Sequence, residues 1–384
     1  MGLAALLAGA CNPDKLNCSS DSDCAQGETC DPTNKWCVRP APPDVRRGCF
    51  VKADCAVGQY CGQDGTCLPD TVCGDGGWCR VDPLVPEPGD ATMTPRPFYG
   101  PLSGVWGVAD KGPIWAVGPG ATILRYDGKA WTRQPAGVDT GDLRAIWGTG
   151  ENNLYAVGEL GLIIHYDGTK WTRQNSGVNA ELTAIWGSGP DNIYAVGAFA
   201  NQLSAVLRST DAGQSWQQVQ VRTPNAHTGF LHGIWGPSAD RFYVVGANLA
   251  TGQGPVLIYD AGTWRESGVR EGNGFRRDYL RAVWGSGAND VWAVGEEGMA
   301  YYFDGANWRL AKTNVMTTLY GISGSPGGNV LAVGAQGSLL SLNGQGAWEK
   351  LGATTDGTFY GVFSANPQTG WIVGHNGIAL RRQK

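Results

Sequence analysis

One phrase recurs along this chain. I-W-G-S-G-P-D-N-I-Y-A-V-G at 185–197 is closely copied at 146–158 and 283–295, and more loosely at 105–118, 234–246, 322–334 and 362–374. Counted from the apolar residue that opens each copy (Leu102, Leu143, Leu182, Leu231, Leu280, Leu319 and Phe359), the intervals are 41, 39, 49, 49, 39 and 40 residues. A period near 40 constrains the fold strongly. Each copy is one supersecondary unit too small to bury its own apolar faces, so the units must stack on one another.

Each unit reads as four strands. "LTAIWG" is apolar and stops at Gly. "SGPDN" is a turn of residues that tolerate or pre-set unusual φ. "IYAVG" is a second strand, and "GLIIHYDG" and "KWTRQNSG" supply the third and fourth. With 59 Gly and 16 Trp in 384 residues, the composition suits many short strands joined by tight turns. The expectation is an all-β, seven-bladed β-propeller over 101–384, with the repeated phrase as the inner pair of strands. Tryptophans fall in register with it. Trp106, Trp147, Trp186, Trp235 and Trp284 lie in first strands, and Trp115, Trp292 and Trp371 in second strands. Trp131, Trp171, Trp216, Trp264, Trp308 and Trp348 open fourth strands. Unit 7 ends after three strands, so a segment within 92–101 is expected to supply its fourth and close the ring. Prolines there are tolerable on an outermost edge.

The turn before the fourth strand carries S-x-D-x-G-x-x-W in unit 3, as Ser209, Asp211, Gly213 and Trp216, with shorter forms "YDGKAW", "YDGTKW", "YDAGTW" and "FDGANW". It resembles the Asp-box of BNR-type propellers. The combined phrase, W-G, then A-V-G, then D-G-x-x-W, is similar to the repeats of the photosystem II assembly-factor propellers. That resemblance implies a structural role for the Asp-box residues and a platform that binds another protein.

The N-terminal part has a different chemistry. All 11 cysteines lie between 11 and 79. "MGLAALLAGAC" resembles the end of a bacterial lipoprotein signal, which implies that 1–10 are a signal remnant and that Cys11 is lipidated. Ten cysteines then remain: Cys18, Cys24, Cys30, Cys37, Cys49, Cys55, Cys61, Cys67, Cys73 and Cys79. Polar turn formers separate them, so a module over 11–80 has little apolar core and needs disulfides. The C-x2-4-C pairs of zinc sites do not occur. Five disulfides are expected, with connectivity open and no metal. The pattern resembles the cysteine-rich starts of exported myxobacterial-type proteins. That implies export, with the lipid anchored in the outer membrane. Residues 81–100 read as a proline-rich linker.

Function is less legible. With 29 Lys+Arg against 34 Asp+Glu, there is no electrostatic footprint for nucleic acid. The four histidines (165, 227, 232, 375) fit no catalytic motif, and no cofactor fingerprint occurs. The F-R-I-P motif of sialidase propellers is absent, and "FRRD" at 275–278 does not replace it. The reading is a non-catalytic, exported, lipid-anchored platform at the cell envelope, with an unknown protein or glycan as partner. The alternatives are a carbohydrate-binding or glycosidase (sialidase-like) protein and a purely structural envelope module.

Two clusters are candidate binding residues. Units 3 and 4 are longest, and their extra residues fall in loops that leave the blades at one end. These loops and their edges hold Phe199, His227, Phe230, Phe275, Arg276, Arg277 and Tyr279. At the same end, the second position of each first strand varies: Ser103, Arg144, Thr183, His232, Arg281, Tyr320 and Tyr360. These seven are expected to ring one mouth of the central channel, and their arginines, histidine and tyrosines to suit an anionic or sugar-like group.

Overall fold

The computed structural model describes residues 77–85 and 98–382, apart from 109–111, 222–228, 248–255, 268–278, 326–327, 354 and 367. It also describes Cys73 and the short strands Thr29–Cys30, Cys37–Val38, Gln59–Cys61, Cys67–Pro69 and Arg96–Pro97. Cys11, Cys18, Cys24, Cys49 and Cys55 lie outside these residues.

The chain forms a seven-bladed β-propeller. Blade 2 is representative: Leu143–Gly150, Asn153–Gly158, Ile163–Tyr166 and Trp171–Gln174 pair antiparallel in sequence order. First strands touch one another in succession, and that of blade 7 touches that of blade 1. They therefore surround the axis, and fourth strands lie outermost. Buried apolar side chains among the described residues fall into seven clusters, each between neighbouring blades. Aromatics dominate these seams. Trp115 of blade 1 packs on Tyr166 and Trp171 of blade 2 at 4.9 and 5.7 Å. Trp292 of blade 5 meets Trp348 of blade 6 edge-on at 5.3 Å.

The glycine closing each A-V-G is a close approach. A Cβ on Gly158 or Gly197 would lie 1.8 Å from the carbonyl oxygen of Asp142 or Glu181, the residue just before the leucine that opens the repeat. No side chain fits there, which is one reason why the phrase repeats.

Ring closure differs from the expectation. The fourth strand of blade 7 is Trp78–Arg80, not a segment of 92–101. Trp78 is fully buried among Leu331, Leu339, Phe359 and Leu380, the place that fourth-strand tryptophans take in other blades. Residues 96–97 instead pair with Leu84–Val85. Val81 donates its N–H to Ala379, and its carbonyl accepts the indole N–H of Trp131, joining blade 7 to blade 1. The physical reason is that the seam needs a tryptophan, and 92–101 has none. Cys79 within this strand is disulfide-bonded to Cys73. Backbone pairing also sets Cys30 opposite Cys37 and Cys61 opposite Cys67.

Candidate functional site: the ringed mouth

The variable positions have a structural cause. In blades 2 to 7 the ladder slips between the first and third residues of the first strand, as between Leu143↔Gly158 and Ala145↔Val157. Arg144, Thr183, His232, Arg281, Tyr320 and Tyr360 are the extra residues of these β-bulges. A bulged residue has no cross-strand partner, and its side chain is re-aimed. Ser103 in blade 1 donates its N–H to Val117. The small residue that follows each bulge meets its counterpart across the seam. A Cβ on Gly104 would lie 3.2 Å from Cα of Ala145, and one on Gly233 3.0 Å from Cα of Ala282.

Contacts between bulge residues run from blade to blade. Arg281 reaches His232 at 3.4 Å, and the rings of Tyr320 and Tyr360 meet edge-on at 5.5 Å. His232 stacks parallel to Phe230 at 6.3 Å. The Thr183 hydroxyl sits 2.5 Å from the carbonyl of Leu231 and so straps blade 3 to blade 4.

Electrostatically the mouth departs from the expected free cations. Arg144 is ion-paired with Glu159 at 2.8 Å, Glu181 at 3.1 Å and Asp142 at 3.5 Å. Arg281 is ion-paired with Glu296. Burial, reinforced by the Arg281 charge, pushes His232 down to about 4, so its ring is neutral at pH 7. Asp142, Glu159, Glu181, Glu296 and Glu297 thus outnumber the two guanidiniums. The sequence reading missed these acids, although a signal existed. Arg144 and Glu159, like Arg281 and Glu296, stand 15 residues apart, and those are the two blades with an arginine at the bulge.

Loop candidates divide. Phe199 ends the second strand of blade 3 and packs on the seam with blade 2. Phe230 opens the first strand of blade 4 opposite Ala247, and Tyr279 is half-buried before blade 5. His227, Phe275, Arg276 and Arg277 lie outside the described residues. His165 is structural: it stacks on Tyr155 at 4.5 Å and bonds Asn153 at 2.7 Å.

The mouth end also carries exposed apolar side chains. Among the described residues four large ones stand out to solvent: Met316 (79% exposed), Leu160 (71%), Tyr99 (45%) and Leu203 (41%). All four lie at this end. Leu160 and Leu203 sit in the second-to-third turns of blades 2 and 3, Met316 between blades 5 and 6, and Tyr99 on the entry to blade 1. Beside Leu160 is an open depression of about 620 Å³, lined also by Arg173, Asn175 and Val178.

At the other end, side chains serve their own turns. The Ser209 hydroxyl donates to Asp211 and accepts the N–H of Gly213 at 2.8 Å. Asp211 accepts the N–H of Ser215 at 2.9 Å, and Trp216 is buried. Asp127, Asp167 and Asp304 each accept two backbone N–H groups at 2.8 and 2.9 Å.

These features define a class: a seven-bladed propeller with a bulge-lined, acidic and partly apolar mouth. Solved propellers of like fold include YCF48 from Cyanidioschyzon merolae (14% identical, TM-score 0.60), covering 80% of this chain and 99% of that one. YCF48 bound to D1 peptide is 18% identical, with TM-score 0.60, over 80% and 97%. The WD40 β-propeller domain of Doa1 is 12% identical, with TM-score 0.59, over 80% and 98%. At these identities the likeness is one of fold. No protein-family model and no curated protein matches the sequence.

Proposed function

We propose that the chain is a non-catalytic binding platform whose mouth end holds a protein partner. The carrying observation is that, among the described residues, the four exposed large apolar side chains gather at that end, around the ring of bulge residues. One such side chain is ordinary on a protein surface; their confinement to one end is what points to contact with another macromolecule. A propeller of like fold is known with a bound peptide, which supports the reading. The platform is exported and tethered through a lipid on Cys11 to the outer membrane. The confinement of all 11 cysteines to 11–79 and the Cys73–Cys79 disulfide support an oxidising compartment.

Photo-crosslinking amino acids placed in native cells at Leu160, Leu203 and Met316, and at Lys129, Thr169 and Ala306 of the opposite end, test the platform. A defined protein adduct is expected only from the first set. Adducts from the second set alone, or from neither, would refute it. Cys11→Ala should move the protein from the membrane to the soluble fraction, and an unchanged distribution would remove the anchor.

A further inference from the structure

We propose that the segment docking at the mouth is basic and apolar: it presents lysine or arginine side chains interleaved with aliphatic ones. The inference rests on the platform reading and adds the chemistry of the partner.

Apolar side chains at the mouth end are placed beside its acids. Glu159 and Leu160 are consecutive in the second-to-third turn of blade 2. On blade 5 the Glu296–Gly298 turn packs against the chain next to Met316. A Cβ on Gly298 would lie 2.0 Å from the carbonyl oxygen of Val315. Two corners of the mouth therefore repeat one composition, a carboxylate beside an exposed aliphatic side chain.

Charge decides which partner fits. Asp142, Glu159, Glu181, Glu296 and Glu297 carry five negative charges. Arg144 and Arg281 return two, and both are held in ion pairs. His232 is neutral. Among these seven described side chains the balance, five less two, is three negative charges, with Arg173 farther out beside Leu160 and segments 222–228 and 268–278 outside the count. An anionic ligand would have to break Arg144 and Arg281 away from their carboxylates. A cationic side chain finds the outer oxygens of those carboxylates without breaking anything. Charge complementarity of this kind selects the partner and speeds its approach, and salt weakens it. The aliphatic side chains of the segment would cover Leu160 and Met316, and the depression beside Leu160 accommodates a side chain. Arg173 on the lining of that depression suits a backbone carbonyl of the docked segment.

The test uses the full chain and three labelled octapeptides of alternating Lys-Leu, Glu-Leu and Lys-Ser, with binding read by fluorescence anisotropy at low and high salt. Lys-Leu should bind tightest and weaken with salt. The Glu-Leu peptide is the decisive competitor, because the inter-blade segments 222–228 and 268–278 carry four arginines (222, 270, 276, 277) against Glu271 and Asp278 in sequence. Glu159→Gln with Glu297→Gln, and separately Leu160→Ser with Met316→Ser, should each weaken Lys-Leu binding by about tenfold. Glu151→Gln with Asp191→Asn, an equal charge change at the opposite end, should leave it unaltered. Tighter binding of Glu-Leu, equal binding of Lys-Ser, no binding of Lys-Leu, or equal weakening by the opposite-end pair overturns the proposal. The comparison among peptides needs no variant, so a variant that folds poorly does not blunt it. Crosslinks from Leu160 in cells, with no preference for the Lys-Leu peptide, would leave the platform standing and remove only the partner chemistry.

Discussion

Where first strands turn into second and third into fourth, Asp127, Asp167, Asp211 and Asp304 aim their carboxylates back at the N–H groups of their own turns. At the opposite end, Glu159, Glu181 and Glu296 reach across to guanidiniums at the bulges, and Leu160 and Met316 face solvent. Both ends are acidic and both are built from the same strands. At one end the side chains make the hairpin, so their identity repeats. At the other, bulges free one residue from the ladder in each of blades 2 to 7, so its identity drifts and becomes available to a partner. Repetition marks what the fold needs, and variation at a fixed geometric position marks where a surface can specialise.

The largest expected effect is on the frame the two ends share. Trp78→Ala removes a fully buried indole from the seam between blades 6 and 7, on the strand that completes blade 7, and should cost about 3–5 kcal/mol, read as a lowered denaturant midpoint. It should also weaken binding at the mouth, because an incomplete blade 7 loosens the ring that holds the first strands together. Retention of full stability would show that Trp78–Arg80 does not close the ring. Gly197→Ala drives a methyl group into the carbonyl of Glu181 and should cost roughly 2–3 kcal/mol by thermal unfolding.

Acid should separate the ends in sequence. His232 has a folded pKa of about 4, below its ordinary 6.5, so folding favours the neutral ring. Its contribution is complete above pH 6.5 and is lost as pH falls toward 4, an effect of about 2 kcal/mol once its partial exposure is allowed for. Asp127, Asp211 and Asp304 are held below the ordinary carboxylate value of 3.8, chiefly by backbone and side-chain hydrogen bonds. Their contribution is lost only at lower pH. A melting profile should therefore fall first between pH 6.5 and 4, and His232→Phe should flatten that step alone. A step unchanged in this variant would assign it to another group.

The smallest effects test the division itself. Asp211→Ala should lower the melting temperature by a few degrees without altering binding at the mouth. Glu159→Gln should leave stability within about 0.5 kcal/mol while weakening binding. An inverted pattern would erase the distinction between the ends.

Much of this was legible in the sequence. The blades, their order and the tryptophan positions follow from a period near 40, and the small residue after each variable position marks where blades 2 to 7 carry a bulge. The closing strand was not found, because its tryptophan sits among cysteines. Yet Asp75-Gly76-Gly77-Trp78 is a shortened form of the D-G-x-x-W turn, and only six tryptophans open fourth strands within 101–384. The ion pairs at the mouth were hidden for a different reason. Sequence places Arg144 and Arg281 at the ring, but which carboxylate reaches them depends on how the A-V-G turn folds back over the bulge. Exposure of Leu160 and Met316 is likewise a property of the turn geometry, and a leucine beside a glycine gives no hint of it.

Carbodiimide labelling of carboxylates in intact cells, compared with the purified protein, tests the central claim most directly. A partner held at the mouth predicts that Glu159, Glu181 and Glu296 lose reactivity in cells, whereas Glu151 and Asp191 at the other end react equally in both. Protection of Glu151 and Asp191 with an unprotected mouth, or no protection anywhere, would contradict the assignment of the mouth as the binding face.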